Sequence, residues 1–112
     1  MTRYVPDAGD LVWLTFEPTA GREQAGRRPV LVLSPRRYNS AAGLAVVCPV
    51  TSRQKGYPFE VPLSQGGTLD GVVLVDQLKS LDWRRRRASF IDHAPHGVVQ
   101  EVRARLRPLL VL

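Results

Sequence analysis

Between Leu11 and Leu78 the apolar residues come in short runs, each closed by Gly, Pro, Asn, Asp or Ser. The runs are Leu11–Phe16 (LVWLTF), Pro29–Ser34 (PVLVLS), Ala45–Val50 (AVVCPV), Phe59–Leu63 (FEVPL) and Gly71–Leu78 (GVVLVDQL). Runs of this length, rich in β-branched and aromatic residues, read as strands rather than helices. Arg84–Ile91 suits a sixth strand, with its arginines alternating between faces. The residues between are read as connections. Tyr38, Asn39 and Ser40 favour turns within Pro35–Gly43, and Lys79–Trp83 suits a short helical turn. Pro49 marks a bulge or an edge. From Ala94 the period changes. Val98, Val102, Leu106 and Leu109 or Leu110 fall on one helical face, and Arg103, Arg105 and Arg107 face away. Pro95 fits the first turn, and Pro108 is expected to end the helix near Arg107. The expected fold is mainly β (α+β): one domain over 1–112, a small curved antiparallel sheet partly closed as a barrel, with a C-terminal helix over one face.

Charge narrows the partners. The 112 residues carry a formal net charge of +6, and Lys55 and Lys79 are the only lysines, so arginine supplies most of it. Arginine presents a planar fork of donors that matches phosphate and stacks on bases, which puts nucleic acid first among partners and an acidic protein second. No apolar run approaches the roughly 20 residues that span a bilayer. The start, MTRYVPDAGD, lacks the apolar core of a signal peptide, so a cytoplasmic protein is expected. Cys48 is the single cysteine, inside an apolar run, and reads as a buried thiol. His93 and His96 have no third ligand nearby and read as solvated residues at the helix start, so neither a metal nor another cofactor is expected.

The stretch Glu17–Ser34 couples a Gly-punctuated polar loop to a strand. Gly21 and Gly26 permit tight turns, and Pro29 biases Arg28 toward extended geometry where the strand begins. If strands two and three pair antiparallel, Arg28 starts one and Thr51 ends the other, at the same end of the sheet. A guanidinium, a hydroxyl and the Glu23 carboxylate would then converge on a groove fit for a phosphodiester. On spacing alone, Thr51 and Ser52 serve equally well as turn residues. The Arg84–Arg87 run likewise reads either as groove lining or as a charged edge that discourages aggregation.

The residues that carry these features also carry a resemblance. Arg3–Pro35, the pair Tyr38 and Asn39, Cys48–Val61 (CPVTSRQKGYPFEV) and Asp70–Arg84 (DGVVLVDQLKSLDWR) resemble, in order, the MazF family of toxin endoribonucleases, related to PemK and Kid. The resemblance implies an SH3-like barrel acting as a homodimer. It also implies metal-independent, sequence-specific cleavage of single-stranded RNA to 2′,3′-cyclic phosphate and 5′-hydroxyl ends. Growth and translation would be inhibited, and a cognate MazE-like antitoxin would neutralise the toxin with an acidic disordered segment. Carried over by position, it places catalytic roles on Glu23, Arg28 and Thr51. Phe16, Gln77, Lys55 and Lys79 match positions that line an RNA groove, and Arg22, Gln24, Arg27, Ser52, Arg84 and Arg86 join them as expected RNA contacts. Two other functions suit a barrel of this shape: a gyrase-poisoning protein binder, and a non-catalytic nucleic-acid-binding module.

Overall fold

The computed structural model describes residues 3–16, 26–63 and 67–112. Its strands are β1 (Asp10–Phe16), β2 (Gly26–Val32), β3 (Leu44–Thr51), β4 (Glu60–Pro62), β5 (Val72–Leu74), β6 (Lys79–Asp82) and β7 (Ser89–His93). Helix α1 (Arg36–Ala42) precedes β3, and helix α2 (His96–Leu110) ends the chain. The strands run in the order β4-β5-β3-β2-β1-β7, with β6 also pairing β3, and every pairing is antiparallel. The expected small antiparallel β fold with a C-terminal helix is therefore the fold adopted. No pairing joins β4 to β7 among the described residues, so the sheet is not closed.

Alternation along the strands divides the interior in two. Leu11, Leu31, Cys48, Val50, Val61 and Val73 face Val98, Val99, Val102 and Leu106 of α2. Val12, Leu14, Val30, Val32, Ala45, Val47 and Trp83 form a second core on the other face. With both faces covered, the central strands read as continuous apolar runs rather than alternating ones.

Pro49 sits in the middle of the sheet, not at an edge. The Leu33 N–H donates to the Val46 carbonyl at 2.8 Å, which fixes the alternation along β3. Residues 46 and 48 turn their backbone polar groups toward β2, and Pro49 turns its own away. On that side β3 changes partner, from β6 at Leu44–Val47 to β5 at Val50–Thr51, so the missing N–H interrupts neither ladder.

Five expectations need correction. Pro35–Gly43 is a helix rather than a run of turns: Ala41 and Ala42 favour it, and Gly43 closes it at φ 74°. The Gly71–Leu78 run yields only the short β5 and then a single 3₁₀ turn, Val75–Gln77. Residues 79–82 form β6 instead of a helical turn, because Leu81 lies opposite Ala45 and completes the second core. Arg84–Arg87 is a tight turn, closed by the Ala88 N–H to the Trp83 carbonyl (3.0 Å) and by Arg87 at φ 54°. Helix α2 also runs through Pro108 to Leu110. A proline in the last turn forfeits one intrahelical bond, and the Leu112 N–H returns to the Arg107 carbonyl at 2.9 Å to close the end.

Candidate active site

The cleft that matters opens where the β2–β3 ladder stops. That ladder pairs Val30 with Pro49, Leu31 with Cys48 and Val32 with Val47. Continued two residues, the same register sets Arg28 opposite Thr51, and residues directly opposite on antiparallel strands present side chains to one face. Arg28 and Thr51 both line a cleft of about 480 Å³, together with Arg27, Pro29, Val50, Ser52, Arg53, Leu69 and Asp70. Two residues far apart in sequence thus meet for the reason foreseen: antiparallel pairing.

Thr51 is held from two directions. Its hydroxyl oxygen accepts the Arg53 backbone N–H at 3.2 Å, the short-range bond of a Thr turn. Accepting that bond leaves the hydroxyl hydrogen to be donated into the cleft. From the other side the chain at Gly71 presses onto the Thr51 backbone. A Cβ at position 71 would lie 2.3 Å from the Thr51 carbonyl oxygen, and Gly71 has φ +121°, so only glycine fits there. Beyond Thr51 the turn is fixed by Glu60, buried at 8% exposure, whose carboxylate accepts the backbone N–H groups of Lys55, Gly56 and Tyr57 at 2.9–3.2 Å.

The remaining expected contacts divide. Phe16 shares the Arg28 face, since Leu14 lies opposite Arg28 and Phe16 opposite Gly26. The Arg86 guanidinium lies 5.0 Å from the centre of the Phe16 ring and donates to the Thr15 carbonyl at 3.2 Å. Lys79 is opposite Val47, which shares a face with Thr51, roughly 13 Å along the strand. Lys55 and Gln77 are exposed, and Ser52 lines the cleft. Arg27 lines it too, but its guanidinium is committed elsewhere, donating to Thr15 Oγ1 (2.8 Å) and Ser89 Oγ (2.6 Å). Arg84 stacks on Trp83 and donates to the Ser40 carbonyl at 3.1 Å, which ties it to the end of α1. Arg22, Glu23 and Gln24 lie outside the described residues.

Two cleft residues went unforeseen, Arg53 and Asp70. The signals were present: Arg53 follows Thr51 by two positions in a polar turn, and Asp70 begins an Asp-Gly pair. Other titratable groups have structural explanations. Burial and the Asp76 charge push the Cys48 thiol up to about 12, so it holds no thiolate for nucleophilic attack. His93 Nδ1 is 3.2 Å from Asp10 Oδ1, and Asp10 also accepts the Tyr4 hydroxyl at 2.6 Å. Among the described residues no three His, Cys, Asp or Glu side chains cluster as a metal site would require.

This geometry can be set beside known proteins. Residues 7–110 match the family described as the PemK-like, MazF-like toxin of type II toxin-antitoxin systems. The chain belongs to that family. It is 48% identical over 110 residues to the endoribonuclease toxin MazF of Escherichia coli K12, with 98% of each chain covered. It is 34% identical over 109 residues to the endoribonuclease PemK of Escherichia coli, covering 93% of this chain and 81% of PemK. Its structure superposes with TM-score 0.93 on a chain of the MazE–MazF crystal structure from Deinococcus radiodurans, at 59% identity, with 98% of this chain and 99% of that one covered.

Proposed function

We propose that this family member is a metal-independent endoribonuclease toxin that cuts single-stranded RNA at short sequence motifs and so blocks translation and growth. The observation that carries the reading is the convergence of Arg28 and Thr51, from two strands, on one cleft that Arg53 and Asp70 also line. RNA supplies its own nucleophile. The ribose 2′-hydroxyl gives up its proton and attacks the adjacent phosphorus, the P–O5′ bond breaks, the departing O5′ takes a proton from water, and the products are a 2′,3′-cyclic phosphate and a 5′-hydroxyl. Charge grows on the non-bridging oxygens as the phosphorane forms. Arg28 neutralises it and the Thr51 hydroxyl donates to it, both already in place before reaction. Guanidinium groups keep their proton in proteins, so Arg28 acts as a charge rather than an acid. Glu23 accepts or positions the 2′-hydroxyl proton. Phe16, Lys79 and Arg86, on the same face, extend the groove along the strand.

The endoribonuclease relatives and the MazE–MazF assemblies support two partners beyond RNA. One is a second copy of the chain, and the other is a MazE-like antitoxin whose acidic segment occupies the basic groove. Among the described residues no helix is long and apolar enough to cross a membrane, and we place the activity in the cytoplasm. Purified protein incubated with mixed-sequence RNA in EDTA should release fragments with discrete 5′-hydroxyl ends. Unbroken RNA would favour a binder that blocks its target without turnover.

A further inference from the structure

We propose that Asp70 reads a base: its carboxylate accepts hydrogen bonds from the amino edge of the nucleobase beside the scissile phosphate, favouring adenine, cytosine or guanine over uracil. The proposal rests on the ribonuclease reading and deepens it. Asp70 lines the same cleft as Arg28, Thr51 and Arg53, and it is exposed there. Among the described residues it forms no salt bridge. A carboxylate repels the phosphate that the arginines attract, so beside a bound strand it is tolerated only where a donor meets it. The nucleobases supply such donors. An exocyclic amine presents N–H groups to a carboxylate, whereas uracil has no exocyclic amine and its single N3–H is flanked by two carbonyls whose lone pairs repel the carboxylate.

What makes Asp70 a reader rather than a passing surface charge is how firmly its loop is placed. On one side the Thr68 hydroxyl donates to Asp92 Oδ2 at 2.9 Å, tying the loop to β7. Leu69 packs against the core that α2 covers. On the other side Gly71 lies so close to the Thr51 carbonyl that no Cβ fits, and its own carbonyl accepts the Leu63 N–H at 2.9 Å. Asp70 is therefore fixed relative to the residue that donates to the phosphate. A rigid offset between a phosphate donor and a base acceptor is what selection at one nucleotide position requires.

The test compares wild type, Asp70→Asn and Asp70→Ala on one randomised RNA pool, with 5′ ends mapped and melting points recorded. Wild type should prefer amino-bearing bases over uracil at one position next to the cut by at least about tenfold. The amide both donates and accepts, so in Asp70→Asn that preference should fall to within about threefold or turn toward uracil. Asp70→Ala should lose the discrimination at that position alone, with preferences elsewhere unchanged. Identical base preferences in all three proteins would overturn the proposal, as would a uniform loss of rate with an unchanged motif, which marks a structural role. If wild type leaves the pool uncut, the ribonuclease reading itself fails and takes this one with it.

Discussion

Arg28→Ala is expected to lower the RNA cleavage rate by at least about 10³-fold, equivalent to roughly 4 kcal/mol of lost transition-state stabilisation. Arg28 stands exposed at the start of β2, outside both cores, so the folding stability should hold to within the ordinary scatter of surface substitutions, about 0.5 kcal/mol. Antitoxin binding should survive for the same reason, since the rest of the groove is untouched. The loss should fall mainly on kcat, because the charge that Arg28 meets is largest in the phosphorane. Arg28→Lys should recover only part of the rate: the charge is kept, but the planar fork that spans two phosphate oxygens is gone. Single-turnover cleavage of a defined oligoribonucleotide measures this directly. A rate near wild type in Arg28→Ala would remove Arg28 from the mechanism.

The largest expected loss of stability comes from a residue with no part in the chemistry. Asn39→Ala should cost about 3–5 kcal/mol, and hence a fall of roughly 15 °C or more in melting temperature. Asn39 is fully buried, with its side chain bonded on every side. Its Nδ2 donates to the Pro6 carbonyl at 2.8 Å and to the Ser34 carbonyl at 2.9 Å, while its Oδ1 accepts the Ser34 hydroxyl at 2.6 Å. Ser34 Oγ in turn accepts the Val46 N–H at 2.8 Å, and the Asn39 carbonyl accepts the Trp83 indole N–H at 2.9 Å. Alanine would strand two carbonyls and a hydroxyl away from water, and each unmet partner costs about 1–3 kcal/mol. Against a typical total of about 5–15 kcal/mol, that loss is severe. Thermal denaturation followed by circular dichroism checks it, and a melting point within a few degrees of wild type would contradict it.

Asn39 also shows where sequence reading stops. Tyr38, Asn39 and Ser40 favour turns locally, yet the Asn39 side chain is claimed by residues 6 and 34, and the backbone is left free to form α1. Local propensity cannot register a tertiary hydrogen bond. The arginine run failed in a similar way. Alternation in a strand would have put Arg84 and Arg86 on one side together, but the turn at 83–87 sends Arg84 to α1 and Arg86 to Phe16. Arg27 and Arg28 look equivalent as sequence and both line the cleft, and the register separates their faces: Arg27 lies opposite Thr15, to whose hydroxyl it donates, whereas Arg28 lies opposite Leu14, on the face that carries Thr51. By contrast, the meeting of Arg28 with Thr51 was legible. It needed only two consecutive strands and the rule that antiparallel neighbours bring the start of one to the end of the other. Helix α2 was legible too, because Val98, Val102 and Leu106 repeat at the helical period and all three are buried.

One oligonucleotide pair tests whether the Arg28–Thr51 cleft drives attack by the ribose 2′-hydroxyl. Once a cleaved sequence is known, the same strand is made with a single 2′-deoxy sugar on the 5′ side of the scissile phosphate. The all-ribose strand should be cut, and the substituted strand should stay intact at that bond while still binding the protein. Cleavage of both strands at comparable rates would contradict it.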